Sequence, residues 1–195
     1  MPPILQRARA EVAPHRRAVT GGAALGAAWA VWASGPGWAT PALVVAAVAG
    51  AALWVVDART HRLPDALTYP ATAVAAALLA LAALAGGTWD AALRALLGGL
   101  LLGGAYLLLH LVHRAGMGRG DAKLAVLLGL VTAWFGWSAL VAATVLPILL
   151  GGCVALVLMV TRRASRGTAL AFGPYLLAGA ALAVTFARLA AASPY

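Results

Sequence analysis

The chain has 195 residues, of which 64% are hydrophobic and only 10% charged, and it carries a net charge of +9. A soluble domain of this size has about 25% charged residues, so the composition excludes a water-exposed globular surface and points to an integral membrane protein. The basic excess does not indicate nucleic acid, because the cations cluster in short segments between apolar runs. The single cysteine, Cys153, excludes an intramolecular disulfide and any CxxC zinc site, and within its apolar run it is expected as a buried small hydrophobe.

Residues 1–17 hold Arg7, Arg9, Arg16 and Arg17 with three prolines and read as a basic, loosely ordered cytoplasmic arm. The first apolar run covers residues 18–33 and ends at Ser34-Gly35-Pro36-Gly37. A basic arm before a short apolar run also describes a signal peptide, an alternative that leaves the later spans unchanged. The second run, 40–56, closes in Asp57-Ala58-Arg59-Thr60-His61-Arg62-Leu63-Pro64-Asp65, where Pro64 disfavours helix in the residues before it. The third run covers 66–85 and is closed by Gly86-Gly87, and the fourth covers 91–112.

Next comes Gly116-Met117-Gly118-Arg119-Gly120-Asp121-Ala122-Lys123-Leu124. Its glycines allow close backbone approach, so this turn can press Asp121 against a neighbouring helix. The fifth run, 122–135, amounts to about 21 Å of helix, short for a hydrocarbon core of about 30 Å. It is expected to extend through Trp137, to start below the membrane surface, or both. The sixth run covers 138–160, followed by a loop with Arg162, Arg163 and Arg166. The last covers 168–187, with Phe172-Gly173-Pro174-Tyr175 in its first turns. With seven spans and the amino terminus inside, 12 of the 14 Lys and Arg fall in cytoplasmic segments and only Arg94 and Arg188 fall outside. The positive-inside rule selects this orientation. The expected fold is an all-α polytopic bundle of about seven transmembrane helices, with Asp57 and Asp121 at the same membrane face.

Five acidic residues exist: Glu11, Asp57, Asp65, Asp90 and Asp121. Asp57 and Asp121 each abut an apolar helix end, where an ionisable group is costly and marks a functional hypothesis. Two carboxylates brought close do not both ionise easily, so the pair shares a proton. That is the requirement of aspartic proteolysis, in which one acid activates water and the other polarises the scissile carbonyl. Plainer readings stand beside this one. Asp121 with Lys123 also reads as a solvated boundary pair, and Asp65, after a proline and before a helical run, reads as an N-cap. A cap reading suits Asp57 poorly, because a negative charge opposes the dipole at a helix C-terminus. No Ser or Cys stands with a His in a nucleophile motif. His110 and His113 are read as boundary residues rather than metal ligands, and His61 and Arg62 as a solvated loop. The tryptophans, among them Trp29, Trp54 and Trp134, read as interfacial anchors. No phosphate loop appears, and neither cofactor nor metal is expected.

Three segments together resemble the type IV prepilin peptidases and the related preflagellin peptidases, a GxGD family of intramembrane aspartic proteases. The first is the stretch from Asp57 through Leu63-Pro64-Asp65-Ala66-Leu67-Thr68. The second is Gly118-Arg119-Gly120-Asp121 with its flanks, including Lys123. The third is Phe172-Gly173-Pro174-Tyr175-Leu176, in which Ala171 replaces the family's first proline. The likeness covers about residues 40–190. It implies a peptidase that removes the short basic leader of type IV pilin-like precursors at the cytoplasmic face of the inner membrane. Asp57 and Asp121 would be its catalytic pair, with Asp65 as second choice for the first acid. Pro64, Gly118, Gly120, Lys123, Phe172, Gly173 and Pro174 would support the site. The implied organisation is a basic arm at 1–17, an extra transmembrane helix and outer loop at 18–39, and a six-helix peptidase domain at 40–195. Many relatives carry a further domain with paired CxxC motifs and also methylate the new amino terminus; with one cysteine, this chain is expected to act without methyl transfer. The expected partners are the precursor and the lipid bilayer, with no nucleic acid. Two alternatives remain open: a non-enzymatic assembly or transport subunit, and a GxGD protease acting on other membrane substrates.

Overall fold

The computed structural model describes residues 6, 12–112, 118–162 and 171–193. Among these residues there is no strand. After a short 3-10 turn at Ala13–His15 come α1 (Arg16–Ser34), α2 (Thr40–Thr60), α3 (Asp65–Gly86), α4 (Trp89–Val112), α5 (Arg119–Trp134), α6 (Trp137–Val160) and α7 (Gly173–Ala192). The arm at 1–17 lies mostly outside the described residues. Helices α2, α3, α4, α6 and α7 are long and apolar enough to cross a membrane, and the chain is a multi-pass membrane helix bundle.

Helix α5 is the centre of that bundle. Its 16 residues give about 24 Å of helix, and 11 of them are buried, because α3, α4, α6 and α7 all pack on it. A helix that is apolar all round is one that neighbours enclose. Its end removes one of the two alternatives expected for this short run. The helix does not extend through Trp137: it stops at Trp134, and Gly136, at φ 136°, turns the chain so that Trp137 opens α6 instead. Arg94 on α4 seals this end. Its Nε donates to the Ala133 carbonyl at 2.6 Å and its terminal nitrogen to the Trp134 carbonyl at 2.7 Å, satisfying carbonyls that have no partner within the helix.

The α4–α5 contact rests on backbone approach. A Cβ on Gly98 would overlap Ala133, and one on Gly129 would overlap the Gly98 carbonyl. Small residues permit this in membrane bundles, where van der Waals packing takes over from the hydrophobic effect.

Helix α6 is the opposite case. It buries only Ala139, Leu140, Ala143, Pro147 and Gly151, and it leans chiefly on α7. Cys153 is therefore not buried as expected: it is exposed on the outer side of this peripheral helix. The sequence signal was misleading because an apolar run in a membrane helix has both a protein face and a lipid face, and both tolerate a small hydrophobe.

Candidate active site

Helix α2 continues to Thr60, one turn beyond the predicted end of its run, so Asp57 lies inside the final turn. His61 ends the helix in the left-handed region, at φ 52°, and its N–H donates to the Asp57 carbonyl at 2.8 Å. The Asp57 side chain is 4% exposed. A carboxylate here opposes the dipole of its own helix, and a second helix compensates. Asp57 Oδ2 accepts the N–H of Gly173, the first residue of α7, at 3.0 Å, at a helix end whose free N–H groups favour anions. Pro174 in the next position has no N–H to satisfy. Gly173 cannot carry a side chain without disturbing the acid, since a Cβ would lie 2.6 Å from Oδ2. Phe172 holds the approach, its ring centroid 6.3 Å from those of Tyr106 and Tyr175.

Asp121 lies in the first turn of α5 and is 8% exposed. Its Oδ2 accepts the N–H of Gly118, the residue that caps the helix, at 3.2 Å. Gly120 lets this turn press on the α2–α3 loop: a Cβ there would lie 2.7 Å from Leu63 Cβ. The loop between α2 and α3 and the start of α5 are thus in contact, and each delivers one acid. Asp57 and Asp121 line one cavity of about 280 Å³. Its cationic lining comes from Arg62, Arg119 and Lys123, and the His61 imidazole lines it as well. His61 and Arg62 are exposed, as expected of a solvated loop, yet both face this space.

Asp65 is in the same cavity but in a different setting. The N-cap expected of it does not form: Pro64 occupies the cap position, and Asp65 is the first helical residue, with no capping bond. Its side chain, 60% exposed, instead pairs with Lys123 Nζ at 2.6 Å. That ammonium also stands 5.0 Å over the Tyr69 ring. The predicted boundary pair of Asp121 with Lys123 is likewise replaced, because Lys123 turns to Asp65 while Asp121 turns inward.

Some participants escaped the sequence reading. Tyr106, on α4, is 3% exposed and its ring packs 6.3 Å from that of Phe172; the only available signal was a single hydroxylated aromatic in a leucine-rich run. Trp29, on α1, donates its Nε1 N–H to Thr185 Oγ1 on α7 at 3.0 Å. His113, Gly116, Met117 and Arg163 lie outside the described residues. Among the described residues, no three His, Cys, Asp or Glu side chains gather as a metal site would require.

The profile of the type IV leader peptidase family matches residues 43–160. A prepilin leader peptidase/N-methyltransferase of Pseudomonas putida is 39% identical over 138 residues, covering 68% of this chain and 45% of the relative. Proteins of the same name are 34% identical over 160 residues in Pseudomonas aeruginosa, covering 78% and 52%, and 34% identical over 168 residues in Burkholderia pseudomallei, covering 82% and 51%. The chain spans about half the length of these curated relatives. No solved structure matches it.

Proposed function

This chain belongs to the type IV leader peptidase family, and from that premise we propose that it is an aspartic endopeptidase acting on type IV pilin-like precursors. It cuts after their short basic leader, at the cytoplasmic face of the inner membrane, with its own amino terminus on the cytoplasmic side. Residues 40–195 form the peptidase unit. The observation that carries this reading is that two nearly enclosed carboxylates from distant helices share one cavity.

In the proposed mechanism the pair holds one proton. The ionised acid of Asp57 and Asp121 takes a proton from a water whose oxygen attacks the scissile carbonyl carbon. The protonated acid hydrogen-bonds to the carbonyl oxygen and stabilises the tetrahedral gem-diol. The C–N bond then breaks as a proton passes to the leaving nitrogen, and no acyl-enzyme forms. The N–H groups of Gly173 and Gly118 orient the two carboxylates. Asp57 rather than Asp65 is assigned as the first acid, because Asp65 is exposed and engaged by Lys123. The basic loops meet the anionic inner leaflet.

The test is co-expression with a pilin-like precursor from the same genome, scored as a mobility shift. Wild-type protein and Asp65→Asn are expected to process the precursor, while Asp57→Asn and Asp121→Asn, with unchanged membrane levels, are not. A chelator is expected to have no effect. Processing at the wild-type rate by either of the two catalytic variants would overturn the pair mechanism.

A further inference from the structure

Every residue that α4 buries is glycine or aliphatic except one, Tyr106. Its place follows from how α4 and α5 pair. A Cβ on Gly98 would meet Ala133, one on Gly99 would meet Leu130, and one on Gly103 would meet Val126. The two helices therefore run antiparallel in close register. One turn further along α4 stands Tyr106, and one turn back along α5 stands Ala122, next to Asp121. Tyr106 and Ala122 belong to the same buried cluster. Helix α4 thus comes up to α5 on glycines and, at the level of the acids, presents an aromatic ring.

The second neighbour of that ring is Phe172, at 6.3 Å between centroids and 33° between planes. Aromatic pairs at this separation attract beyond the area that they bury. Phe172 is the cap residue of α7. The N–H that Asp57 Oδ2 accepts belongs to the peptide between Phe172 and Gly173. Two further elements close on the Phe172 ring. Tyr175 lies 6.3 Å from it on α7, and α6 approaches through Gly151, where a Cβ would lie 3.2 Å from Phe172 Cε2. A ring packed in this way transmits a displacement to its own backbone, because the surroundings leave it little space to relax.

We propose that Tyr106 is a positioning residue, a clamp from a third helix that fixes the Gly173 donor, and through it Asp57, relative to the turn that carries Asp121. The proposal rests on the peptidase reading and deepens it. The contact of Gly120 with Leu63 ties the two acid-bearing segments together at the α2–α3 loop. Tyr106 ties them a second time, from α4. The contact is ring to ring, so the aromatic ring carries the role and the hydroxyl does not. Tyr106 stands behind the cavity rather than in its lining, so it governs the reacting geometry and not the affinity for substrate.

The test is the initial rate of precursor processing in membranes, measured over a range of precursor concentration. Tyr106→Leu is expected to lower kcat about tenfold, with KM within about twofold of wild type. Tyr106→Phe keeps the ring and is expected to stay within about twofold in both. Phe172→Leu removes the other half of the contact and is expected to match Tyr106→Leu. In a Gly173→Ala background the donor is already displaced, so Tyr106→Leu should lower kcat by no more than about twofold further. Leu102→Ala, one turn back on α4 in the same buried cluster, is expected to lower thermal stability at unchanged kcat. A full tenfold further loss in the Gly173→Ala background overturns the proposal, because packing alone adds in that way. So does a kcat loss in Leu102→Ala as large as in Tyr106→Leu, or a Tyr106→Phe variant as slow as Tyr106→Leu. If Tyr106→Leu does not accumulate in the membrane, Phe172→Leu carries the same comparison from the other ring. Wild-type turnover in both leucine variants overturns the proposal alone, whereas no processing by the wild-type protein overturns the peptidase reading and the proposal with it.

Discussion

Asp57 and Asp121 on the floor of the cavity are almost wholly enclosed, and each takes a hydrogen bond from a backbone N–H. Asp65 at the rim is 60% exposed and takes its bond from a flexible lysine. All three line the same 280 Å³. The difference lies in what fixes each side chain. A backbone donor at a helix end is set by the fold and cannot swing away, so it holds an acid in one orientation. A lysine partner gives a pair that solvent screens and thermal motion disperses. The floor is preorganised for chemistry and the rim is adaptable, and substitutions at the two levels should separate sharply.

The largest effect belongs to the floor. Asp57→Asn and Asp121→Asn keep the shape of the side chain and an oxygen to accept the Gly173 or Gly118 N–H, so folding is preserved while proton transfer is lost. Each is expected to lower precursor processing at least about a hundredfold, measured as initial rate against membrane level. The double variant should be no worse than either single one, because the two residues act as a unit.

Next is the donor behind Asp57. In Gly173→Ala the new methyl meets Oδ2 at 2.6 Å, and either the carboxylate or α7 must give way. A misplacement of this order at a reacting group costs up to about a hundredfold in rate. The overpacking itself costs about 1–3 kcal/mol in stability. Processing should therefore fall far more than thermal stability, read from the same preparations. A fall in stability alone would show that α7 is merely packed there and does not position the acid.

Much of this contrast was legible before any coordinates. The apolar runs, their order and the face shared by Asp57 and Asp121 follow from hydropathy and charge placement, which act locally along the chain. The GxGD turn and the Phe172-Gly173-Pro174 segment were recognisable as motifs. Their connection was not, since a hydrogen bond between Gly173 and Asp57 joins residues on helices that only tertiary packing brings together. The fate of Asp65 escaped for the same reason. Its local context favours a cap, but a partner 58 positions away in the chain wins the side chain. Cys153 shows a further limit, because hydropathy marks a residue as lipid-compatible without saying which side of the helix faces protein.

The glycine turn offers a test of the contact that joins the two acids. In Gly120→Ala the added methyl meets Leu63 Cβ at 2.7 Å, and the Leu63 side chain also approaches with Cδ1 at 3.2 Å. A cost of about 1–3 kcal/mol is expected, together with a partial loss of processing. Leu63→Ala trims the far end of that side chain, so Gly120→Ala with Leu63→Ala should recover part of the loss. Non-additivity of about 0.5 kcal/mol or more in thermal stability would register the contact. Strict additivity would mean that the α2–α3 loop and the start of α5 are not coupled.

The smallest effect belongs to the rim. Lys123→Met removes the ammonium from Asp65 and from the Tyr69 ring while keeping most of the aliphatic stem. Because Asp65 is largely exposed, the pair contributes no more than about 0.2–1 kcal/mol, less after solvent screening. Asp65→Asn should therefore leave processing within a fewfold of wild type. The loss in Lys123→Met should be similarly small, and any difference between wild type and variant should shrink as salt is raised. A large, salt-independent loss in Asp65→Asn would place that acid among the reacting groups and erase the distinction between rim and floor. The salt titration is the decisive reading, because salt weakens a structural pair at the surface and leaves a proton-transfer group deeper in the cavity almost unaffected.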